Sequence, residues 1–144
     1  MKSFRGIQGI QVIQVIVAFV VFSTVLGRAD AGPEQKVIAV VNRADWCSVC
    51  QANHARAGQA LGEAAADGSV KILVNDLTNE ETTKKSAERL KAAGLDKSMA
   101  PYLASGVITF FDAKTKKVLS QITVANADPE IKMASDLAKK HASK

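Results

Sequence analysis

The only two cysteines of this 144-residue chain stand three positions apart, in Asp45-Trp46-Cys47-Ser48-Val49-Cys50. Two thiols at that spacing, just after an apolar run and at the opening of a helical stretch, suit reversible disulfide chemistry. With Cys47 at the helix edge, its sulfur meets unpaired backbone N–H groups and the positive end of the helix dipole. Both favour a thiolate, the species that attacks disulfides. Cys50, one turn on and nearly on the same face, is within reach to resolve a mixed disulfide. Position therefore assigns the roles: Cys47 the nucleophile, Cys50 the resolving thiol. Trp46 would shield one side of the pair and offer an apolar surface to a client.

Other uses of the pair fit less well. As a static staple, so short a ring would stabilise by only about 2 kcal/mol, less than a bridge between distant segments. Metal binding would draw on Cys47, Cys50 and His54, which fall at i, i+3 and i+7 along one side of a helix and could serve copper or zinc. A convincing fourth ligand is missing, and no metal is assigned. Gln51 stands where a c-type haem site requires histidine. His54 could instead tune the thiols through its charge.

The elements that must hold the pair are legible in outline. Val37-Ile38-Ala39-Val40-Val41 is an unbroken apolar, mostly β-branched run, the pattern of a strand buried on both faces. Residues 48–66 are alanine-rich, lack proline and read as a helix. A second apolar strand covers 70–74. Thr78-Asn79-Glu80-Glu81 opens a helix that runs to Ala93, with Gly94 as its stop. Residues 95–105, with Pro101 inside, read as a short helix plus a loop. Strands follow at 106–111 and 117–124, joined by a hairpin loop. Asp128-Pro129-Glu130 supplies an N-cap, a proline at the first helical position and an acid, opening a last helix to His141. Ile131, Ala134, Leu137 and Ala138 give it one apolar face. Phe110 and Phe111 should point to opposite faces of the sheet, both into core. The order β-α-β-α-β-β-α predicts an α/β fold: a mixed four-stranded sheet with helices on both faces.

The first 31 residues are expected to stand outside that fold. Lys2 and Arg5 precede an apolar stretch, and Ala29-Asp30-Ala31 is a small-x-small site. Those are the three parts of a secretory signal peptide cut after Ala31. The alternative is an uncleaved membrane anchor, since Ile7 to Leu26 is twenty residues. Gln8, Gln11 and Gln14 inside that stretch favour cleavage. A mature chain of residues 32–144 would be one domain of 113 residues with its net charge lowered from +5 to +3. Scattered lysines and few aromatic residues argue against nucleic acid. The expected location is periplasmic or secreted, or membrane-anchored facing the periplasm.

The Trp46-Cys47-Ser48-Val49-Cys50 motif after the strand at 37–41 resembles the active site of the thioredoxin-like superfamily, and the element order over about 36–141 matches that family's three-layer sandwich without its variable N-terminal strand and helix. The resemblance implies an exported thiol–disulfide oxidoreductase with a redox-active Cys47–Cys50 disulfide. It would act on disulfide-containing envelope proteins, use no organic cofactor, and exchange electrons with another thiol protein. The alternative is a thioredoxin-fold module that binds copper or a partner protein without turnover.

Three departures from the family stand out. Ser48-Val49 differs from the family's dipeptides, which help set poises running from roughly −270 to −120 mV, so the direction of catalysis stays open. Aligning Gly106-Val107-Ile108-Thr109 with the family's Gly-Ile-Pro-Thr puts Ile108 where a cis-proline is usual. A trans Val107–Ile108 bond and an altered client-binding loop are expected, with Trp46, Val107 and Ile108 as the residues that meet the client. Val41 replaces the buried aspartate that often assists proton transfer.

Overall fold

A computed structural model describes residues 33–143. The expected signal segment and the cut after Ala31 lie outside the described residues. Within them the order is β1 (Val37–Arg43), α1 (Ser48–Ala64), β2 (Val70–Asp76), α2 (Glu80–Ala92), α3 (Asp96–Met99), β3 (Val107–Asp112), β4 (Val118–Thr123) and α4 (Asp128–His141). The four strands form one mixed sheet in the order β2-β1-β3-β4. β1 runs parallel to β2 and antiparallel to β3, and β4 is antiparallel to β3.

β1 is a central strand with helices on both sides, which is why its apolar run is continuous. Val37 and Ala39 face one core with Ala57, Leu61, Phe110, Ile131 and Ala138, filled from α1 and α4. Ile38 and Val40 face the other with Leu90, Leu95, Met99 and Phe111, filled from α2 and α3. Phe110 and Phe111 are both fully buried and on opposite faces, as strand alternation requires.

Three local readings change and one is made specific. β1 and β2 each run two residues beyond their apolar stretches, because the polar residues there, Asn42 and Asn75, are register neighbours and bond to each other. The short helix within 95–105 is α3, a single helical turn whose Met99 plugs the second core. β3 begins at Val107 rather than Gly106, and β4 covers Val118–Thr123 rather than 117–124. Asp128 is not the N-cap of α4. Ala127 holds that position, with its N–H donating to Glu130 Oε2 at 2.9 Å. The Asp128 carboxylate is instead paired with Arg56 of α1.

Asp112 ties the far end of the sheet together. Its carboxylate accepts from the N–H groups of Lys114 (2.9 Å), Thr115 (2.7 Å) and Ser143 (2.5 Å), joining the β3–β4 hairpin to the end of α4. Those backbone donors, Thr115 first and then Ser143, hold its carboxyl well below the usual carboxylate range. A lowered folded value contributes stability above pH about 4, and that contribution is lost as pH falls toward the folded value. Asp112→Asn should cost about 1–3 kcal/mol at pH 7. The gap to the parent should narrow steadily between pH 4 and 2 in urea denaturation. An unchanged gap across that range would remove the carboxylate from the account.

Candidate functional site

The site stands where β1 hands over to α1. Ala44 is buried and its carbonyl accepts from Cys47 N–H at 3.1 Å, a tight turn that brings the sulfur to the helix start. Asp45 N–H donates to Thr78 Oγ1 at 3.0 Å, and Leu77 N–H donates to Arg43 O at 2.8 Å. The Trp46–Cys47 corner is thus fixed to the loop after β2. Arg43 pairs with Asp45 and, at 3.6 Å, with Asp76. The Leu77 side chain completes a small apolar pocket with Ala44, Cys47 and Cys50.

Cys47 is itself the N-cap of α1. Its Sγ accepts from the Cys50 N–H at 3.2 Å, the bond that a serine or aspartate oxygen makes at ordinary helix starts. No acidic residue occupies the first turn of α1. No carboxylate there opposes negative charge on the sulfur, and the helix dipole supports it. The two cysteines form a disulfide with their Cα atoms 5.2 Å apart.

The two sulfurs face different surroundings. Cys47 borders an open groove of about 510 Å³ whose walls include Trp46, Val49, Gly106, Val107 and Thr123. Trp46 is 66% exposed and Val49 44%, so the rim is apolar and accessible. Cys50, 4% exposed, lines a smaller crevice of about 120 Å³ with Arg43, Asp45, Gln51 and His54. The groove belongs to the first sulfur and the inner crevice to the second.

Of the residues expected to meet a client, Trp46 and Val107 lie on the groove, and Ile108 does not. Ile108 is fully buried in the core beneath α1 and α4, paired in the sheet with Val41 and Ile122. It has no surface to present. The backbone against the sulfurs is Gly106, two residues earlier. A Cβ there would lie 3.7 Å from each sulfur and 3.6 Å from Val49 Cγ1, and its φ is +79°. The Val107–Ile108 bond is trans, as is every peptide bond among the described residues. Val41 is partly buried and packs on the core, with no titratable group in its place.

Among the described residues, no group of three or more His, Cys, Asp or Glu side chains converges to hold a metal ion. Cys47, Cys50 and His54 share a helix side but do not make a three-ligand site. His54 instead faces the crevice beside Cys50.

The loop at 106–109 was expected at the site, whereas Asn42, Asn75 and Leu77 were not, nor was Gly106 as the residue of that loop nearest the sulfurs. Gly106 carried a signal: glycine before a strand marks a backbone that other residues adopt with difficulty. An asparagine continuing a doubly buried strand was a second signal, because a buried amide needs partners.

The strand order, helices on both faces of the sheet, and a cysteine pair capping the helix after the central strand together define a thioredoxin-like fold. No protein-family model matches the chain, and no curated protein matches it. Among solved structures, StoA from Bacillus subtilis is similar at 16% identity over 72% of this chain and 84% of its own, with a TM-score of 0.47. A secreted Mycobacterium tuberculosis disulfide oxidoreductase described as homologous to Escherichia coli DsbE is 12% identical over 72% and 82%, at 0.45. Fasciola hepatica thioredoxin is 14% identical over 72% and 81%, at 0.44.

Proposed function

We propose that this chain is an exported thiol–disulfide oxidoreductase that exchanges disulfides with client proteins through Cys47 and Cys50. The observation that carries the reading is the cap: Cys47 Sγ accepts the Cys50 N–H at a helix start while bordering the groove. A sulfur so placed is favoured as a thiolate, and although Cys47 is only 9% exposed it lines the groove from which a second sulfur can approach.

In the reducing direction the Cys47 thiolate attacks one sulfur of a client disulfide. That S–S bond breaks, a mixed disulfide forms, and the first client sulfur leaves as a thiolate. The Cys50 thiol loses its proton to water reaching the crevice, and its thiolate attacks Cys47 Sγ. The mixed disulfide breaks, the second client thiolate leaves, and the Cys47–Cys50 disulfide forms. Two electrons pass from protein to client, and a second thiol protein restores the dithiol. Oxidation is the same sequence reversed. The client meets Trp46, Val49 and the Gly106–Val107 edge of the groove. The signal segment read in the sequence supports export, and with it envelope or secreted proteins as the clients.

One preparation tests both halves. Protein recovered from the exported fraction should begin at Gly32 by mass. Titrated in glutathione buffers and followed by Trp46, the only tryptophan, its pair should undergo one two-electron transition between roughly −270 and −120 mV. A disulfide still intact below about −300 mV would be a structural staple. A chain retained in the cytoplasm would remove export from the reading.

A further inference from the structure

The parallel register of β1 and β2 sets Asn42 beside Asn75, and both are buried, at 0% and 2% exposure. Amides so deep in a protein are costly unless partnered. Here they are partnered in a chain that leads toward the sulfurs. Asn75 Nδ2 donates to Asn42 Oδ1 at 2.9 Å, which fixes the orientation of the Asn42 amide. Its Nδ2 then donates to the carbonyls of Tyr102 at 2.6 Å and Ala104 at 3.0 Å. The backbone carbonyl of the same Asn42 accepts from Gly106 N–H at 2.8 Å. One residue of the central strand thus holds three points of the segment 102–106. That segment ends at Gly106, where an added Cβ would lie 3.7 Å from each sulfur.

We propose that the Asn42–Asn75 amide pair is a positioning device that sets how closely the segment 102–106 covers the Cys47–Cys50 disulfide, and so how readily that disulfide exchanges. The inference rests on the exchange reading above. Its physical basis is that the segment is irregular backbone, and such backbone stays ordered only where its polar groups are satisfied. Two buried donors from one amide, oriented by a third bond, supply that order. Without them Gly106 draws back from the sulfurs. A small thiol then gains access to the disulfide, while a protein client loses one ordered wall of its groove. The two rates should move in opposite directions, which general loss of stability does not produce.

The test compares the parent with Asn42→Ala, Asn75→Ala and the remote Asp112→Asn. Reduction of the disulfide by dithiothreitol is followed through Trp46, and insulin disulfide reduction is measured alongside. Asn42→Ala should speed dithiothreitol reduction at least fivefold and slow insulin turnover about tenfold. Asn75→Ala, which frees the Asn42 amide to rotate, should shift both rates the same way by less. Asp112→Asn should lower the melting temperature and leave both rates near the parent. Asparagine variants that match Asp112→Asn in both rates would overturn the proposal. Should Asn42→Ala fail to fold, the opposite-sign shift in Asn75→Ala decides the matter alone. A parent that does not turn over insulin would sink the exchange reading, while the dithiothreitol rates would still report on the amide pair.

Discussion

Cys47→Ser should lower insulin disulfide reduction by at least about 10³-fold while leaving the fold in place. The serine hydroxyl is a good N-cap and can take over the bond that Cys47 Sγ accepts from the Cys50 N–H. Loss of activity would then report on the missing nucleophile and not on a frayed helix. Cys50→Ser should behave differently. Its Cys47 still attacks from the groove, but nothing displaces the captured sulfur, so a Cys47–client mixed disulfide should accumulate within one turnover. Non-reducing electrophoresis and mass spectrometry read that adduct. The asymmetry follows from the surroundings of the two sulfurs: Cys47 caps the helix on the open groove, and Cys50 lines the inner crevice. An adduct trapped on Cys50 in the Cys47→Ser protein, with none in Cys50→Ser, would reverse the assigned roles.

The second large effect is expected at Gly106, and it runs against the family resemblance. Placing a proline beside the cysteines would look like restoring a missing family feature. At Gly106 it should instead be the worst substitution. Proline requires φ near −65°, and the backbone here is at +79°. It also removes the N–H that bonds to Asn42 O at 2.8 Å. Together these should cost about 3 kcal/mol or more. Gly106→Ala keeps the N–H. Its methyl meets Val49 and the two sulfurs at 3.6–3.7 Å, ordinary contact distance, so it carries mainly the conformational cost of about 1–2 kcal/mol. Urea denaturation of the oxidised proteins should rank them parent, alanine, proline. Insulin turnover should fall in the alanine variant too, because its methyl stands over the sulfurs on the groove side. Equal stability of the proline variant and the parent would show that the segment adopts another backbone at little cost.

Much of the architecture could be read from residues acting through local rules. The run at 37–41 is apolar at every position because β1 is covered on both faces. The spacing of Ile131, Ala134 and Ala138 puts α4 on the sheet, while Leu137, expected on the same face, is left exposed. The two adjacent phenylalanines had to divide between two cores. Cys47 at a helix start and Cys50 one turn inside follow from where the helical composition begins. Each of these depends on neighbours within a turn or a strand, and short-range periodicity records such neighbours faithfully.

What the chain brings together from a distance was not readable in that way. Ile108 was expected at the client surface because an aligned motif was counted along the strand. Strand register assigned it to the core and moved Gly106 against the sulfurs. From Ile108 to Asp112 β3 is buried on both faces, and the backbone comes to the sulfurs only at Gly106, before the strand begins; how far a strand is covered is set by partners far away in the chain. The N-cap of α4 shifted for a similar reason, since Arg56, 72 positions from Asp128, claims the carboxylate that a local cap would have used. Asn42 and Asn75 are 33 residues apart and become neighbours only when β1 and β2 pair. By itself the sequence determined the cysteine pair, its helix and the layers around it, because these rest on local pattern. Only the tertiary structure decided which residue of the 106–109 loop lies by the sulfurs and what holds it there, because hydrogen bonds between distant segments exist only once the sheet has formed.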